Sequence, residues 1–405
     1  KGILVHTLVL LYMGDETVTA SAGTERVLTN MANAFVKRGY RVVVVTNDAP
    51  QAVPYFPFLP QVETIFLDVC QSKIPLSVKL KRELNRILPV MDRPVELHRA
   101  RLSAKKLRQC LPADQIDCII AYNHEAIQVA DLWQKGKKPL IAMMHNSIRV
   151  IMGNSNRVTL REKEKADVIQ VLMPSYVKEA KQYIHHTPVV WIPNVVSPVP
   201  QAKQAHPGAG KARYTIITVG RIDALQKQTH ILIQAFALLA ATYPDWQLEI
   251  WGEIKKKAYY EELCQFVREH HLEKRIHFCG ITQGVQNKLQ AADIFAFPSA
   301  FEGFPLALTE AMGTGLPAVG FRSADAVKDL IVDGSNGVLC EDGVASFSEG
   351  LERLMKDREL RAKLGRQAIE DMKPYAPDII WDKWQELIEH QIQIASEQKE
   401  RVRRV

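Results

Sequence analysis

Apolar positions along the chain fall into short continuous runs separated by stripes at helical spacing. Ile3–Leu11 is one such run and predicts a buried strand. Thr24–Arg38 follows as a helix, with Val27, Leu28, Met31, Ala34 and Phe35 on one face. Further strands are predicted at Arg41–Thr46, Thr64–Val69, Cys118–Ala121 and Leu140–Met144. This alternation calls for a parallel sheet covered by helices on both faces. From Pro188–Asn194 to about Gly210 the pattern gives way to a coil rich in Pro, Ala, Gly and Gln.

A second alternating series opens at Tyr214–Val219. It runs through helix His230–Ala241, strand Gln247–Trp251, helix Ala258–His270 and strand Ile276–Cys279, then helix Val285–Gln290 and strand Ile294–Pro298. Helix Leu306–Met312 and strands Ala318–Gly320 and Gly337–Leu339 complete it. Two doubly wound α/β domains in tandem satisfy this order, with a ligand expected in the cleft between them, near the carboxyl ends of the strands. The last helix, from Asp378, carries Trp381, Trp384, Ile388, Ile392 and Ala395 on one stripe. Such a stripe needs a partner surface, and crossing back onto the first domain supplies one. The expected boundaries are 1–190 for the first domain, 191–212 for the linker, 213–377 for the second domain and 378–405 for the returning helix.

At 405 residues, 47% hydrophobic and 24% charged, the chain has ample material for two cores, which excludes a disordered or collagenous protein. No window approaches the roughly 18 apolar residues that span a membrane. Ile3–Met13 is interrupted by His6 and Thr7 and lacks a cleavage pattern, so export is not expected. The 6 cysteines form no C-x-x-C pair, which fits a reduced, cytoplasmic setting.

The net charge of +7 is concentrated. Between Lys73 and Arg108 stand eleven Lys and Arg against Glu83, Asp92 and Glu96, a local balance of +8, so the remainder is close to neutral. Leu80, Leu84 and Ile87 recur at helical spacing, with Lys79, Lys81, Arg82 and Arg86 assigned to the opposite face. Leu97, Ala100, Ala104 and Leu107 repeat the pattern beyond Pro89 and Pro94. The stretch is either an ordinary solvated face or a patch for anionic lipid or a polyanionic substrate. Without interleaved aromatics it does not read as a nucleic-acid surface.

The densest chemistry lies in Pro298-Ser299-Ala300-Phe301-Glu302-Gly303-Phe304-Pro305, followed by Glu310. The strand ends, a short loop is expected to expose Glu302, and Pro305 is expected at the first helical position, where its missing N–H costs nothing. The amides of Leu306 and Ala307 would then point outward at a helix start that favours an anion, with sugar hydroxyls in reach of Glu302 and Glu310. Gly220, Arg221 and Lys227 follow the first strand of the second domain and suit a diphosphate. In the first domain, Gly23 precedes a helix and can bring amides to a phosphate or sugar, but the segment falls short of G-x-G-x-x-G and is not a nicotinamide site. His145 stands just beyond a buried strand, and Tyr122, Asn123 and His124 follow another, where they could line the acceptor side. No D-x-D pair and no His/carboxylate cluster has metal-ligand spacing, so metal-independent chemistry is expected.

Together these segments resemble the retaining GT-B glycosyltransferases, specifically glycosyltransferase family 4. Glu302 and Glu310 sit as in that family's glutamate motif, Gly220-Arg221 with Lys227 as in its G-R-x(5)-K clamp, and Trp191-Ile192-Pro193-Asn194 as in its I-P-N-G-V segment. Ala22-Gly23-Thr24-Glu25-Arg26 resembles its G-G-A-E-R loop. The chain departs at Ala22, where the family has a second glycine, and at Val195.

The resemblance implies two Rossmann-like domains and a nucleotide-sugar donor, expected to be UDP-linked, with no cofactor. It implies that Glu310 binds ribose, that Arg221, Lys227 and the Leu306 and Ala307 amides hold the diphosphate, and that Glu302 with the Gly303–Phe304 amides meets the donor sugar. His145 would reach sugar hydroxyls, and Phe278–Thr282, with Ile281, would hold the base. The expected reaction is retaining transfer of a hexose or N-acetylhexosamine to a lipid-linked or envelope polysaccharide acceptor, of bacterial lipopolysaccharide type, at the inner face of the membrane. A synthase or phosphorylase on a small acceptor, and a non-catalytic binding protein, are the alternatives; the +8 stretch disfavours the former and the intact site residues the latter.

Overall fold

The computed structural model describes residues 6–14, 17–20, 23–69, 72–87, 93–136 and 138–404. The chain divides into two compact units, residues 1–193 with 380–405, and residues 194–379.

In the first unit, strands β1 (Thr7–Tyr12), β2 (Arg41–Thr46), β3 (Glu63–Phe66), β4 (Cys118–Ala121), β5 (Leu140–Met143), β6 (Val168–Val171) and β7 (Val189–Trp191) form one sheet in the order β3-β2-β1-β4-β5-β6-β7. Every pairing is parallel. The central strands read as unbroken apolar runs because both faces are covered, and Leu8 to Leu11 are fully buried. Helix α1 (Gly23–Lys37) buries Val27, Leu28, Met31, Ala32 and Phe35 against the sheet.

Two expectations need correction here. The third strand covers Glu63–Phe66 rather than 64–69, because past Leu67, whose amide still bonds Thr46, Asp68 and Val69 bond the turn after β2. Val189–Trp191, expected as coil, is the edge strand β7; three residues are too short to show periodicity, and the pairing with β6 fixes them. Of the predicted first strand, residues 3–5 lie outside the described residues, as do Ala22 and Pro89.

Helix α2 (Leu76–Ile87) buries none of its residues, whereas α3 (Pro94–Cys110) buries Ala100, Ser103, Ala104 and Leu107. Leu76, Leu80, Leu84 and Ile87, spaced along one side of α2, are 82%, 61%, 55% and 79% exposed. The core is therefore not the destination of that apolar face.

The closing helix Pro377–Arg404 returns to the first unit as expected. Ile380, Trp381, Trp384 and Ile388 are buried, the Trp381 ring meets Phe35 edge-on at 6.2 Å, and Arg38 pairs with Asp382 at 2.7 Å.

The second unit carries β8 (Tyr214–Val219), β9 (Trp246–Trp251), β10 (Ile276–Gly280), β11 (Ile294–Phe297), β12 (Ala318–Phe321) and β13 (Gly337–Cys340), ordered β10-β9-β8-β11-β12-β13 and again parallel. Its core runs through Ile216, Leu232, Phe236, Trp246, Phe321 and Phe347. Both sheets are doubly wound and Rossmann-like, the architecture of the GT-B fold. Among the described residues no helix is long and apolar enough to cross a membrane.

Candidate active site

The strand order of the second sheet reverses between β8 and β11. The loops that follow two such strands diverge, and the crevice they leave is where doubly wound sheets bind ligands. Gly220, Arg221 and Lys227 leave β8 and Ser299 to Pro305 leave β11, so the sheet topology brings together segments that are far apart in sequence. Gly220, Arg221, Lys227, Phe297, Pro298 and Ser299 line a common hollow at these strand ends.

The β8 loop is shaped by Asp223. Its Oδ1 accepts the amides of Leu225 (3.1 Å), Gln226 (2.7 Å) and Lys227 (3.1 Å), the turn that short acidic side chains favour. Backbone contact is close beside it. A Cβ on Gly252, at the end of β9 with φ +151, would stand 1.8 Å from the Gly220 carbonyl oxygen, so only glycine fits there. Lys227 crosses to the other loop. Its Nζ pairs with Glu302 Oε1 at 2.5 Å and lies 4.8 Å from the centroid of the Phe297 ring. The exposed Arg221 donates to Gln226 Oε1 at 2.8 Å.

Glu302 is 7% exposed, not displayed on a loop as expected. The Lys227 ammonium explains the difference, because a carboxylate leaves water only with a partner. Pro305 is the cap of helix Leu306–Thr314 and not its first residue, and the Leu306 amide donates to the Phe304 carbonyl at 2.9 Å. That amide is thus engaged within its own turn; the Ala307 amide lies in the first turn, where the helix dipole favours an anion. Gly303 and Phe304 are buried, and the Phe304 ring lies 5.9 Å from Tyr375. Glu310, half-buried, follows one turn further along the same helix. Ile281, just past β10, is 67% exposed, beyond a Gly280 with φ +71.

The remaining candidates lie at the strand ends of the first sheet, whose order reverses between β1 and β4. Gly23 is the exposed first residue of α1. Tyr122 is buried, donates to Met31 Sδ at 3.1 Å and stacks on His145 with centroids 5.1 Å apart. Burial pushes the His145 imidazole down to about 4, and its enclosed Nε2 has no hydrogen-bond partner. Asn123 caps α4 (His124–Gln134) by accepting the Ala126 amide at 3.0 Å, and its Nδ2 donates to the Met13 carbonyl. Both ends of that amide therefore hold backbone. His124 is 8% exposed, and the neighbouring Glu125 accepts from Asn47 at 2.9 Å.

The sequence reading passed over Asp223, Gln226 and Ser299. An aspartate shortly after a strand-end glycine is a turn signal that could have found the first. Gln226 has no such signature, and Ser299 lies inside the quoted motif, fully buried with an unpartnered Oγ. Among the described residues no three His, Cys, Asp or Glu side chains group to hold a metal ion.

Two family models match consecutive stretches of the chain: Glycosyltransferase Family 4 on residues 21–199 and Glycosyl transferases group 1 on residues 201–371. With its two Rossmann-like sheets, the chain belongs to the GT-B glycosyltransferases. It is similar to an uncharacterized glycosyltransferase of Haemophilus influenzae, 26% identical over 384 residues that cover 92% of this chain and 97% of that protein. Over a shorter stretch of 122 residues, 29% of this chain and 33% of the relative, it is 35% identical to the lipopolysaccharide 1,6-galactosyltransferase of Salmonella typhimurium. Among solved structures, HepE of Anabaena in complex with UDP and glucose shares the fold with a TM-score of 0.70 at 18% identity, covering 95% of this chain and 100% of that one.

Proposed function

We propose that the protein is a retaining, metal-independent glycosyltransferase that moves a hexose or N-acetylhexosamine from a UDP-sugar to a lipid-linked or envelope polysaccharide acceptor. The observation that carries this reading is the convergence of Arg221, Lys227 and Glu302 at the β8/β11 switch point. Two cations and a helix start meet the diphosphate, while the carboxylate beside them meets the donor sugar. Glu310 takes the ribose hydroxyls and Ile281 packs against the base. In the first unit, His145 and Gly23 are assigned to hydroxyl recognition; Tyr122 and Asn123, expected there, engage Met31 and backbone with their polar groups.

In this reading the acceptor hydroxyl oxygen bonds to the anomeric carbon on the face from which the diphosphate leaves. The electron pair of the broken carbon–oxygen bond goes to the phosphate oxygen, which also takes the hydroxyl proton. Arg221 and Lys227 stabilise the charge that develops on the leaving group, the largest contribution such a site can make. Positioning the two sugars supplies most of the rest.

The acceptor assignment rests on α2. It presents exposed Leu76, Leu80, Leu84 and Ile87 beside exposed Lys79, Lys81, Arg82 and Arg86, the pairing of apolar and basic surface that lies on anionic lipid. The Salmonella relative, by its name, acts on lipopolysaccharide, an envelope polymer of the same class. The test is release of UDP from UDP-glucose, UDP-galactose and UDP-N-acetylglucosamine, with and without membrane extract as acceptor. Release stimulated by the extract supports the reading, and no release from any of the three in its presence overturns it.

A further inference from the structure

We propose that Gln226 is a positioning residue that aims the Arg221 guanidinium and locks the β8 loop to the loop carrying Glu302. The inference rests on the diphosphate role of Arg221 given above. Gln226 makes four hydrogen bonds, two within its own loop and two to the loop after β11. Its amide donates to Asp223 Oδ1 at 2.7 Å, and its carbonyl accepts the Ala300 amide at 2.8 Å. Its side chain accepts from Arg221 Nη2 at 2.8 Å through Oε1 and donates to the Phe301 carbonyl at 3.2 Å through Nε2.

The chemistry of those two side-chain partners selects a carboxamide. A guanidinium only donates and a backbone carbonyl only accepts, so the group between them must accept at one end and donate at the other. A glutamate would set its second oxygen against the Phe301 carbonyl, and a lysine would face the guanidinium with like charge. Asparagine carries the right groups on a side chain one methylene too short to span both. Phe301 immediately precedes Glu302, and Lys227 immediately follows Gln226. The bridge therefore fixes the spacing between Arg221 and the Lys227–Glu302 pair, the two ends of the site that must act on one leaving group together. Preorganised charge needs such support, because a guanidinium free to swing must be ordered again at each turnover.

The test is a double-mutant cycle on nucleotide affinity. UDP, GDP and ADP are titrated into the wild-type protein by calorimetry, and the tightest is carried through Arg221→Ala, Gln226→Met and the double variant. Gln226→Met is expected to weaken binding roughly tenfold, the effect of a hydrogen bond to a charged group. The double variant is expected to bind no more weakly than Arg221→Ala alone, because Gln226 acts through that side chain. A merely structural glutamine would instead lower the unfolding temperature and add its loss to that of Arg221→Ala. Gln226→Asn, which keeps a polar side chain and both backbone bonds, repeats the cycle if the Met variant does not fold. Wild-type affinity in a folded Gln226 variant, or additive losses, overturns the positioning role while leaving the clamp in place. Failure of all three nucleotides to bind, or an Arg221→Ala that binds like wild type, overturns the clamp and the positioning role with it.

Discussion

Lys227 Nζ and Glu302 Oε1 stand 2.5 Å apart, joining the loop after β8 to the loop after β11. Their side chains are 18% and 8% exposed, and the ion pair compensates each of them for leaving water. In the proposed reading the pair sets the cation assigned to the leaving diphosphate beside the carboxylate assigned to the donor sugar, which makes catalytic charge and local stability interdependent.

Lys227→Ala is expected to cost about 2–3 kcal/mol of stability, somewhat below the roughly 3–5 for removing one partner of a fully buried pair. It should also abolish most turnover. Adding Glu302→Gln should restore part of the stability, since the buried carboxylate that lost its cation is then neutral, without restoring activity. Urea unfolding of the single and double variants beside UDP release checks both halves, and a double variant no more stable than Lys227→Ala would contradict the pairing argument.

Glu310→Ala and Glu302→Gln should separate binding from chemistry. The ribose contact assigned to Glu310 is the same in ground and transition states, so its loss should weaken UDP affinity roughly tenfold or more and change the saturated rate little. The sugar contact assigned to Glu302 should show the reverse. Calorimetric titration with UDP and initial rates at saturating donor distinguish the two, and unaltered UDP affinity in Glu310→Ala would remove its ribose role.

Activity should survive EDTA. The leaving-group charge is assigned to Arg221, Lys227 and the first turn of helix Leu306–Thr314, so a chelator removes nothing the reaction uses. A rate that collapses with EDTA and returns with added magnesium or manganese would refute this.

The first unit should lose stability as pH falls between 6.5 and 4. Unfolded histidine takes up a proton near 6.5, whereas burial holds His145 down to about 4, so across that window the unfolded state binds the extra proton and is favoured. Below both values no further loss arises from this residue. His145→Phe, which keeps an aromatic ring against Tyr122, should flatten the slope by at most about 3 kcal/mol over the window. Thermal unfolding of both proteins at pH 7, 5.5 and 4.5 reads the difference, and parallel curves would show that His145 is not held neutral by the fold.

Replacing Lys81, Arg82 and Arg86 with Gln should weaken attachment to vesicles containing anionic lipid by about 1 kcal/mol per charge near the surface, less at high salt. UDP affinity should not change, because Arg221, Lys227, Glu310 and Ile281, the residues assigned to the nucleotide, belong to the other unit. Leu80→Ser with Leu84→Ser should weaken the salt-resistant part of the attachment, since those side chains are available to the bilayer rather than to the core. Equal pelleting of wild type and both variants would leave α2 as a solvated helix.

What the sequence by itself determined was every feature encoded in neighbouring residues. Apolar runs placed Arg41–Thr46, Cys118–Ala121 and Tyr214–Val219 at the observed strand boundaries, because the stretch of a strand covered on both faces reads as an apolar run. The tryptophan stripe of the closing helix likewise announced a partner surface, and that helix returns to the first unit. The candidate residues were legible as motifs because the turns that present them are local. Only the tertiary structure decided what those residues touch. Glu302 reads as a loop carboxylate until sheet order sets it against Lys227, 75 positions away in the chain. Gln226 carries no signature at all, since its partners Arg221 and Phe301 are joined only through the β8/β11 switch point. The apolar side of α2 could have served a core or a surface equally well, and the fold buries residues of α3 while leaving those of α2 to solvent. Periodicity reports that a face is apolar, while the identity of its neighbour depends on the order in which the whole chain stacks its strands.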